Sequence, residues 1–532
     1  MANAINKVII TNRSALLAKY GAGLTAIEGA IKKLVAADAK RGLTTRLIAI
    51  DDAATMKAFR AAPVTKATDP KQCKGAIDAV FRALCPEYLM ILGAVDVVPH
   101  QDIKNPAFGP GDDDDREALG DIPYACDAPY STKPENFKAP TRVVGRLPDL
   151  TGGSEPQYLI DLLATAASAK SRPASAYADY LGVSAEPWAN STSLSLQKLF
   201  GPKASALLSP PSGPRWKPKQ LQVLSHFFNC HGAPADSHFY GQHRTSYPQA
   251  HDAAWLKGRV SPGTVLSAEC CYGAELYDPA KTGGQAGLCN TYLGEGAYGV
   301  FGSSTIAYGP AKGNGSADLL CQFFLKHVLE GASLGRAALE ARQDFVRSAA
   351  TLDPFDLKTL AQFSLMGDPS IQPVEASRGY EPHSEPRTKS ARASKSPGLG
   401  SEEPARELRR SRLARDGVAI GQATRHVESS SAKAPPKGML GLLAREARGL
   451  GVESPRFASF DVAGGSREPK SRGRSLAKSA MLTSERKIHM MIGHVPQSRA
   501  ARAAEPGGIK TLLAIVVTEW DGQTLVRRLH SR

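Results

Sequence analysis

The sequence lacks the features that would place it in a membrane or on a secretory route. None of its 532 residues belongs to an apolar run near the roughly 18 residues that a membrane span requires. The opening residues, MANAINKVIITN, hold no basic segment followed by the apolar stretch of a secretory signal. The eight cysteines are irregularly spaced, and without a secretory signal we expect them to stay reduced. The expectation is a soluble, cytoplasmic protein.

The first 375 residues have almost no net charge. Of the formal charge of +15, the part from Ala376 to Arg532 supplies +14, with 29 Lys and Arg against 15 Asp and Glu. The pI of 9.4 therefore reflects a separable segment and is poor evidence for a nucleic-acid-binding face. That segment lacks cysteine and is rich in Ser, Arg, Ala, Pro and Gly, a composition typical of disorder.

The basic segment is predicted to be a mostly disordered linker over residues 376–509, followed by a short strand-like element over 510–532. A helix is predicted at Gly438–Leu450. Three interpretations stay open: a solvated linker, an electrostatic tether for nucleic acid or acidic partners, and a regulatory segment that is cleaved. The segment has few aromatic residues, which argues against the stacking used by single-strand binders.

Residues 1–375 alternate strand and helix patterns. Apolar runs at Lys7–Asn12, Thr45–Asp51 and Tyr88–Pro99 are separated by amphipathic segments at Leu24–Ala36 and Lys71–Leu84. This order is typical of an α/β fold with a mostly parallel sheet. Whether the region divides into two α/β subdomains, residues 1–200 and 201–375, is left open.

Two of the predicted strands end in residues that carry nucleophilic chemistry. The segment FFNCHG places His231 and Gly232 after one strand, and LSAECCYG places Cys270 and Cys271 after the next. If these strands are neighbours, an imidazole and a thiol meet at the carboxyl edge of the sheet, where catalytic groups of open α/β sheets gather. A Cys/His pair of this kind performs acyl transfer. The N–H groups of Gly232 and of the nucleophilic cysteine, assigned here to Cys270, are the candidate oxyanion donors.

The same residues are open to other interpretations. Free cysteine is among the most buried residue types, so the thiols and His231 equally fit a catalytically inactive α/β module that binds a peptide or partner and uses the basic segment as a tether. A metal-bound Cys/His site is a third alternative. Thiol reactivity separates the first two, because an activated thiolate alkylates faster than a buried cysteine.

Four segments of the sequence, including the two motifs above, together resemble the caspase-like (clan CD) cysteine peptidases, in particular the gingipain-type C25-like family. They occur in that family's order and cover roughly Lys7 to Val374. The matching pieces are YLMILGAVDVVP with DIPYACDAPY and VVGRLPD, the His-Gly motif FFNCHG, the Cys motif LSAECCYG and the closing sequence FSLMGDPSI. The resemblance implies a caspase-like three-layer α/β/α fold and cysteine endopeptidase activity through a thioester acyl-enzyme, without a cofactor.

The resemblance also implies a catalytic dyad of His231 with one of two adjacent thiols. Gly273 lies three residues after Cys270, the spacing of related motifs, whereas the Cys-x-Gly pattern of caspases selects Cys271. Cys270 is the first choice and Cys271 the alternative. No metal ligand is assigned. Some relatives bind calcium, and the acidic run Asp112–Asp115 is the one hint of such a site.

Substrate preference depends on Asp127, which matches the position of the S1 carboxylate in arginine-specific relatives. A carboxylate at the floor of the pocket pairs bidentately with a guanidinium. Cleavage after Arg or Lys is therefore expected, and the basic segment then offers sites for self-cleavage. The expected partners are protein or peptide substrates, and analogy with relatives favours a regulatory role.

Overall fold

The fold is described from a computed structural model of the whole chain. The structure describes residues 5–109, 113–349, 352–376, 439–440, 443–444, 453–462, 486–495, 511–520 and 523–531. The chain divides into two compact units, Met1–Leu408 and Arg409–Arg532. The candidate site lies entirely in the first unit.

The first unit is built on a ten-stranded sheet flanked by helices. The strands of this unit are β1 Lys7–Thr11, β2 Thr45–Ala49, β3 Tyr88–Leu92, β4 Val143–Leu147, β5 Tyr180–Ala185, β6 Leu207–Ser209, β7 Ser225–Asn229, β8 His231–Gly232, β9 His238–Tyr240, β10 Gln249–Asp252, β11 Val265–Ala268, β12 Gly299–Ser303 and β13 Phe363–Gly367. The helices are α1 Arg13–Tyr20, α2 Leu24–Lys40, α3 Ala53–Ala58, α4 Pro70–Leu84, α5 Gln157–Ser168, α6 Ala189–Phe200, α7 Pro218–Leu221, α8 Leu288–Gly294, α9 Ser316–Leu329, α10 Leu334–Ser348 and α11 Pro354–Gln362.

The strand order in the large sheet is β2-β1-β3-β4-β13-β12-β11-β7-β5-β6. Strands β8, β9 and β10 form a separate small sheet. All neighbouring pairs of the large sheet are parallel except β12 with β13. The predicted α/β class with a mostly parallel sheet is confirmed. It follows from strands such as β1, β4 and β7, which are buried along their whole length as expected between two helical layers.

The single antiparallel pair places two groups of loops at one edge of the sheet. Ser303, at the end of β12, pairs with Phe363, at the start of β13, and β13 runs parallel to β4. The carboxyl ends of β7, β11 and β12 therefore lie at the same edge as the amino ends of β13 and β4. Loops from both halves of the sequence can reach a site at this edge.

The two amphipathic segments predicted at Leu24–Ala36 and Lys71–Leu84 are helices, and α2 extends four residues beyond its predicted end, to Lys40. Helix α2 buries Leu24, Ile27, Ile31 and Leu34 at helical spacing, which is the periodicity that predicted it. Helix α4 begins at Pro70, where the Asp69 side chain accepts hydrogen bonds from the N–H groups of the first turn.

The apolar run Tyr88–Pro99 was predicted to be one strand, and this is wrong for its second half. Strand β3 ends at Leu92. The chain turns at Gly93, where φ is +120°, and Val97 and Val98 are buried in the turn. Burial without a strand is possible here because the carbonyls of Gly93 and Val98 accept hydrogen bonds from Arg146.

The second unit contains a four-stranded antiparallel sheet. Its strands, in their spatial order, are β14 Glu453–Val462, β15 Arg486–Val495, β16 Thr511–Trp520 and β17 Gln523–Ser531. Strands β16 and β17 correspond to the predicted C-terminal element. Strands β14 and β15 fall within the predicted linker and were not anticipated, while most other residues of the linker and of the predicted helix Gly438–Leu450 lie outside the described residues. No helix in the described part of the chain is long and apolar enough to cross a membrane.

Candidate active site

The two strands that carry the His-Gly and Cys motifs are direct neighbours. Strand β11 pairs in parallel with β7, with Ala268 opposite Phe228. Continuing this register by two residues places Cys270 beside Cys230, one residue before His231. The predicted Cys/His pair required these two strands to be neighbours. They are neighbours, and both motifs therefore leave the sheet at the same edge.

Beyond the sheet, the two motifs approach each other backbone to backbone. A side-chain carbon at Gly232 would overlap the carbonyl oxygen of Cys271 and would lie 3.5 Å from its backbone nitrogen. Only glycine permits this approach. After Cys271 the chain turns sharply, with Tyr272 at φ +57°, and the N–H of Tyr272 donates to the carbonyl of Thr305 at 3.0 Å. The cysteine loop is thus held from both sides.

The two adjacent thiols have different surroundings. Cys270 is 0% exposed, and its Sγ lies 3.7 Å from the carbonyl oxygen of Phe228. Burial, and then hydrogen bonding to the Cys230 thiol, hold the pKa of Cys270 well above its usual range. Cys271 is half-buried, and its Sγ accepts a hydrogen bond from the N–H of Ala307 at 3.3 Å. Of the two residues, Cys271 is the more exposed.

His231 is held by an amide and two aromatic rings. Its Nε2 lies 2.8 Å from Oε1 of Gln242. The Trp188 ring is 4.5 Å from the imidazole, centroid to centroid, and the Tyr247 ring meets it edge-on at 5.0 Å. Gln242 ends the segment FYGQ. Trp188 was missed, since nothing near it in the sequence connects it with His231.

Two acidic side chains flank the loop after Cys271. Glu275 accepts a hydrogen bond from the N–H of Ala235 at 2.6 Å, which ties the cysteine loop to the loop after Gly232. Burial, assisted by the nearby Asp115, raises the pKa of Glu275 to about 7. Asp115 accepts from the hydroxyl of Tyr272 at 2.7 Å and from the N–H of Ile306 at 2.7 Å.

The acidic run Asp112–Asp115 does not provide an open cation site. Asp112 lies outside the described residues. Asp113 and Asp115 both accept from the Lys358 ammonium, at 2.6 and 2.8 Å, and Asp113 is fully buried. The Lys358 ammonium is already bound to oxygens of both carboxylates, so a calcium ion would have to displace it. Among the described residues, no group of three or more His, Cys, Asp and Glu is arranged to hold a metal.

Asp127 is already paired with a buried arginine. Its carboxylate accepts from Nε and NH2 of Arg142, at 3.1 and 2.7 Å. The Asp127 side chain is 70% exposed, whereas that of Arg142 is 1% exposed. Arg142 directly precedes β4, so Asp127 lies toward the same edge of the sheet as the thiols. Its charge is engaged by a buried guanidinium.

Glu269, directly before the thiols, forms a buried carboxyl pair with Asp318. The two side chains are 6% and 0% exposed. In the described part of the chain, no N–H group and no Ser, Thr or Tyr hydroxyl reaches either oxygen of Glu269, and the side chain that hydrogen-bonds with it is Asp318. Two adjacent carboxylates cannot both be ionised without a large cost, so the pair shares a proton. Burial raises the pKa of Asp318 to about 7 and that of Glu269 well above its usual range.

Because the pKa values of Glu269 and Asp318 are raised in the folded chain, we expect the free energy of unfolding to fall as the pH rises. A carboxyl whose pKa is higher in the folded than in the unfolded chain stabilises the fold below its unfolded pKa, and this contribution is lost as the pH rises through the folded value. For Asp318 the loss spans about pH 4 to pH 7, and for Glu269 it continues above. The free energy of unfolding, measured with urea between pH 5 and 8.5, should fall by a few kcal/mol.

Glu269→Gln is the matched variant, because its amide donates to Asp318 at every pH. We expect the variant to lose less stability over this range than the wild type. Equal pH dependence in both proteins would contradict the shared proton.

Comparison with known proteins bears on what this arrangement does. Residues 222–374 match the family model of peptidase family C25. The resemblance to that family is thereby confirmed. The C25 segment begins just before β7 and ends after β13, so it contains both the His-Gly and the Cys motifs. The pieces of the resemblance between Tyr88 and Asp149 lie outside it.

Two other comparisons add little. A solved structure described as "Structure of Protease" is similar over 99% of this chain and 97% of its own, with 11% sequence identity and a TM-score of 0.46. No curated protein matches the chain.

Proposed function

We propose that this chain is a cysteine endopeptidase in which His231 and Cys271 form the catalytic dyad. The C25 match supports peptidase activity. The observation that carries the assignment to these residues is the contact of Gly232 with the Cys271 backbone at the carboxyl edge of the sheet. It brings the imidazole-bearing and thiol-bearing segments together. The half-buried state of Cys271 favours it over Cys270, which reverses the first choice made from sequence.

The proposed reaction is a two-step acyl transfer. His231 accepts the proton of the Cys271 thiol, and the thiolate attacks the carbonyl carbon of the substrate. The oxyanion that forms is stabilised by the N–H groups of Cys271 and Gly232. The imidazolium then protonates the leaving amine, which leaves a thioester on Cys271. Water, deprotonated by His231, attacks the thioester and releases the acid product.

We propose cleavage after Arg or Lys, with Glu275 as the carboxylate that recognises the basic side chain. Glu275 lies four residues after Cys271, on the loop that follows the Cys motif, and none of the ion pairs between described residues includes it. Asp127, in contrast, is already bound to Arg142. A guanidinium or ammonium entering beside Glu275 meets an unpaired carboxylate, whereas at Asp127 it must compete with a buried cation.

The test is cleavage of a fluorogenic peptide library, mixed at P1, by the wild type, Glu275→Gln and Asp127→Asn. We expect the wild type to cleave after Arg and Lys. Glu275→Gln should reduce the preference for Arg over Gln at P1 by roughly 10- to 100-fold, the value of a hydrogen bond to a charged group. Asp127→Asn should change it less than about twofold. Because Glu275 ionises as the pH rises through about 7, the wild-type preference should increase from pH 6 to pH 8, and that of Glu275→Gln should not.

Opposite results have distinct meanings. Loss of the preference in Asp127→Asn alone would return the S1 role to Asp127. No cleavage of any peptide, together with slow alkylation of Cys271, would favour the catalytically inactive binding module.

A further inference from the structure

The side chain that faces the outer nitrogen of His231 is a neutral amide. Nε2 of His231 lies 2.8 Å from Oε1 of Gln242. The two residues are brought together by the small sheet, in which His231 pairs with Tyr240, two residues before Gln242. Gln242 itself is not among the residues to which the proposed function assigns chemistry. What it does for the imidazole depends on which way the amide points.

A backbone carbonyl determines the orientation of the Gln242 amide. Its Nε2 donates to the carbonyl oxygen of Arg244 at 2.9 Å. A carbonyl only accepts hydrogen bonds, so the NH2 group must face Arg244 and the oxygen must face His231. Arg244 is in the left-handed region, with φ +53°, inside a turn closed by two hydrogen bonds between His243 and Ser246. The turn therefore presents this carbonyl to Gln242.

The backbone of Gln242 is anchored as well. Its N–H donates to the carbonyl of Ser209 at 3.0 Å, and its carbonyl accepts from the N–H of Glu186 at 3.4 Å. Both partners lie at the ends of strands of the large sheet, β6 and β5. The amide is thus held relative to the same sheet that carries His231 and Cys271.

An acceptor at Nε2 determines the state of the imidazole. Because Oε1 of Gln242 accepts, Nε2 of His231 must carry the hydrogen, and in the neutral ring the basic nitrogen is then Nδ1. When the ring becomes an imidazolium, the hydrogen bond from Nε2 becomes charge-assisted and stronger. Gln242 therefore favours both the tautomer that can take a proton at Nδ1 and the protonated ring that results.

From this geometry we propose that Gln242 is the positioning residue of the dyad. It holds His231 as the Nε2–H tautomer and stabilises the imidazolium that pairs with the Cys271 thiolate. The inference rests on the proposed function and adds Gln242, a neutral side chain, to the dyad of His231 and Cys271. The rings of Trp188 and Tyr247 pack against the imidazole, whereas the amide oxygen of Gln242 is hydrogen-bonded to its Nε2.

The first test is Gln242→Met, which keeps the length of the side chain and removes the acceptor. We expect kcat to fall by about 10- to 100-fold, which is at most the lower end of the 10²–10⁴ that proton transfer contributes, while KM changes less than about twofold. The pH dependence of Cys271 alkylation by iodoacetamide should also change. Its midpoint should move up by about one pH unit toward the ordinary thiol value near 8.5, because the imidazolium that stabilises the thiolate is weakened.

A second measurement, by nuclear magnetic resonance, determines the tautomer of His231 and does not require peptide cleavage. In protein labelled with ¹⁵N-histidine, with the His231 signals assigned from His231→Ala, the wild type should show Nε2 protonated and Nδ1 unprotonated. Gln242→Met should show a mixture of tautomers. If Gln242→Met fails to fold, Gln242→Asn, which is one methylene shorter, should give the same changes.

Gln249→Met is the matched control. Gln249 is exposed on β10 of the same small sheet, and its replacement should leave kcat, the alkylation midpoint and the tautomer unchanged. The proposal is overturned if Gln242→Met keeps the wild-type midpoint and tautomer at equal thermal stability. If the wild type cleaves no peptide but shows the Nε2–H tautomer that Gln242→Met loses, the proposed function fails and the positioning role stands.

Discussion

Replacing Cys271 by alanine is expected to abolish peptide cleavage, with kcat/KM falling by at least about 10⁴-fold, as removal of a catalytic nucleophile does in other peptidases. Cys270→Ala should retain activity within about threefold of the wild type, in line with the modest effect of most buried substitutions that spare the catalytic groups. The reason for the difference is accessibility. Cys270 is 0% exposed and its thiol is hydrogen-bonded to the Cys230 thiol, whereas Cys271 is half-buried.

The measurement is kcat/KM on the best library peptide, combined with the stoichiometry of rapid alkylation by iodoacetamide. Because Cys85 is also a free and exposed thiol, the labels are located by peptide mass. The wild type and Cys270→Ala should be labelled quickly at Cys85 and at Cys271, and Cys271→Ala at Cys85 alone. Both variants should have the same far-ultraviolet circular dichroism as the wild type. The reverse pattern, an active Cys271→Ala and an inactive Cys270→Ala, would restore Cys270 as the nucleophile.

Replacing Arg146 by leucine is expected to cost about 3–5 kcal/mol of stability, the typical cost of removing one partner from a buried ion pair. Arg146 is 0% exposed and donates to both oxygens of Asp121, at 2.8 and 2.6 Å. It also donates to the carbonyls of Gly93 and Val98. The leucine variant leaves a buried carboxylate without its guanidinium and several buried carbonyls without a donor.

The control is Arg13→Leu, which breaks the surface pair with Glu28. Those side chains are 55% and 34% exposed, so the expected cost is below about 1 kcal/mol. Urea unfolding followed by tryptophan fluorescence reports mainly on the first unit, since Trp188, Trp216 and Trp255 lie in it and Trp520 alone in the second. Equal losses in the two variants would show that the Arg146 pair is no more important than a surface pair.

The Arg146 pair also explains why part of the resemblance was visible in sequence. Asp121 begins DIPY and Arg146 belongs to VVGRLPD, two of the pieces that resemble the family. The Asp of FSLMGDPSI, Asp368, is likewise buried and accepts from the ammonium of Lys7, 361 residues earlier. These pieces therefore report on how the two halves of the sheet are joined. They carry no information about the nucleophile.

Sequence reasoning was limited where two residues share one local pattern. Adjacent Cys270 and Cys271 fit equally good motifs, and spacing to Gly273 favoured the first. Their difference in exposure arises because Cys270 continues the register of β11 into the core beside Cys230, whereas the chain turns directly after Cys271 at Tyr272. Similarly, Asp127 matched a family position, but its pairing with Arg142 depends on a loop folding back against the start of β4.

The sequence by itself determined the α/β class, the parallel strands and the pair of motifs at the ends of β7 and β11, because hydrophobic periodicity and strand order are local properties of the chain. Tertiary structure alone decided which thiol is accessible, which carboxylates are already neutralised and which side chain orients His231. These properties depend on burial and on partners from distant segments, such as Lys358 for Asp115 and Gln242 for His231. Burial and distant partners cannot be predicted from a pattern along the chain, because both depend on packing in three dimensions.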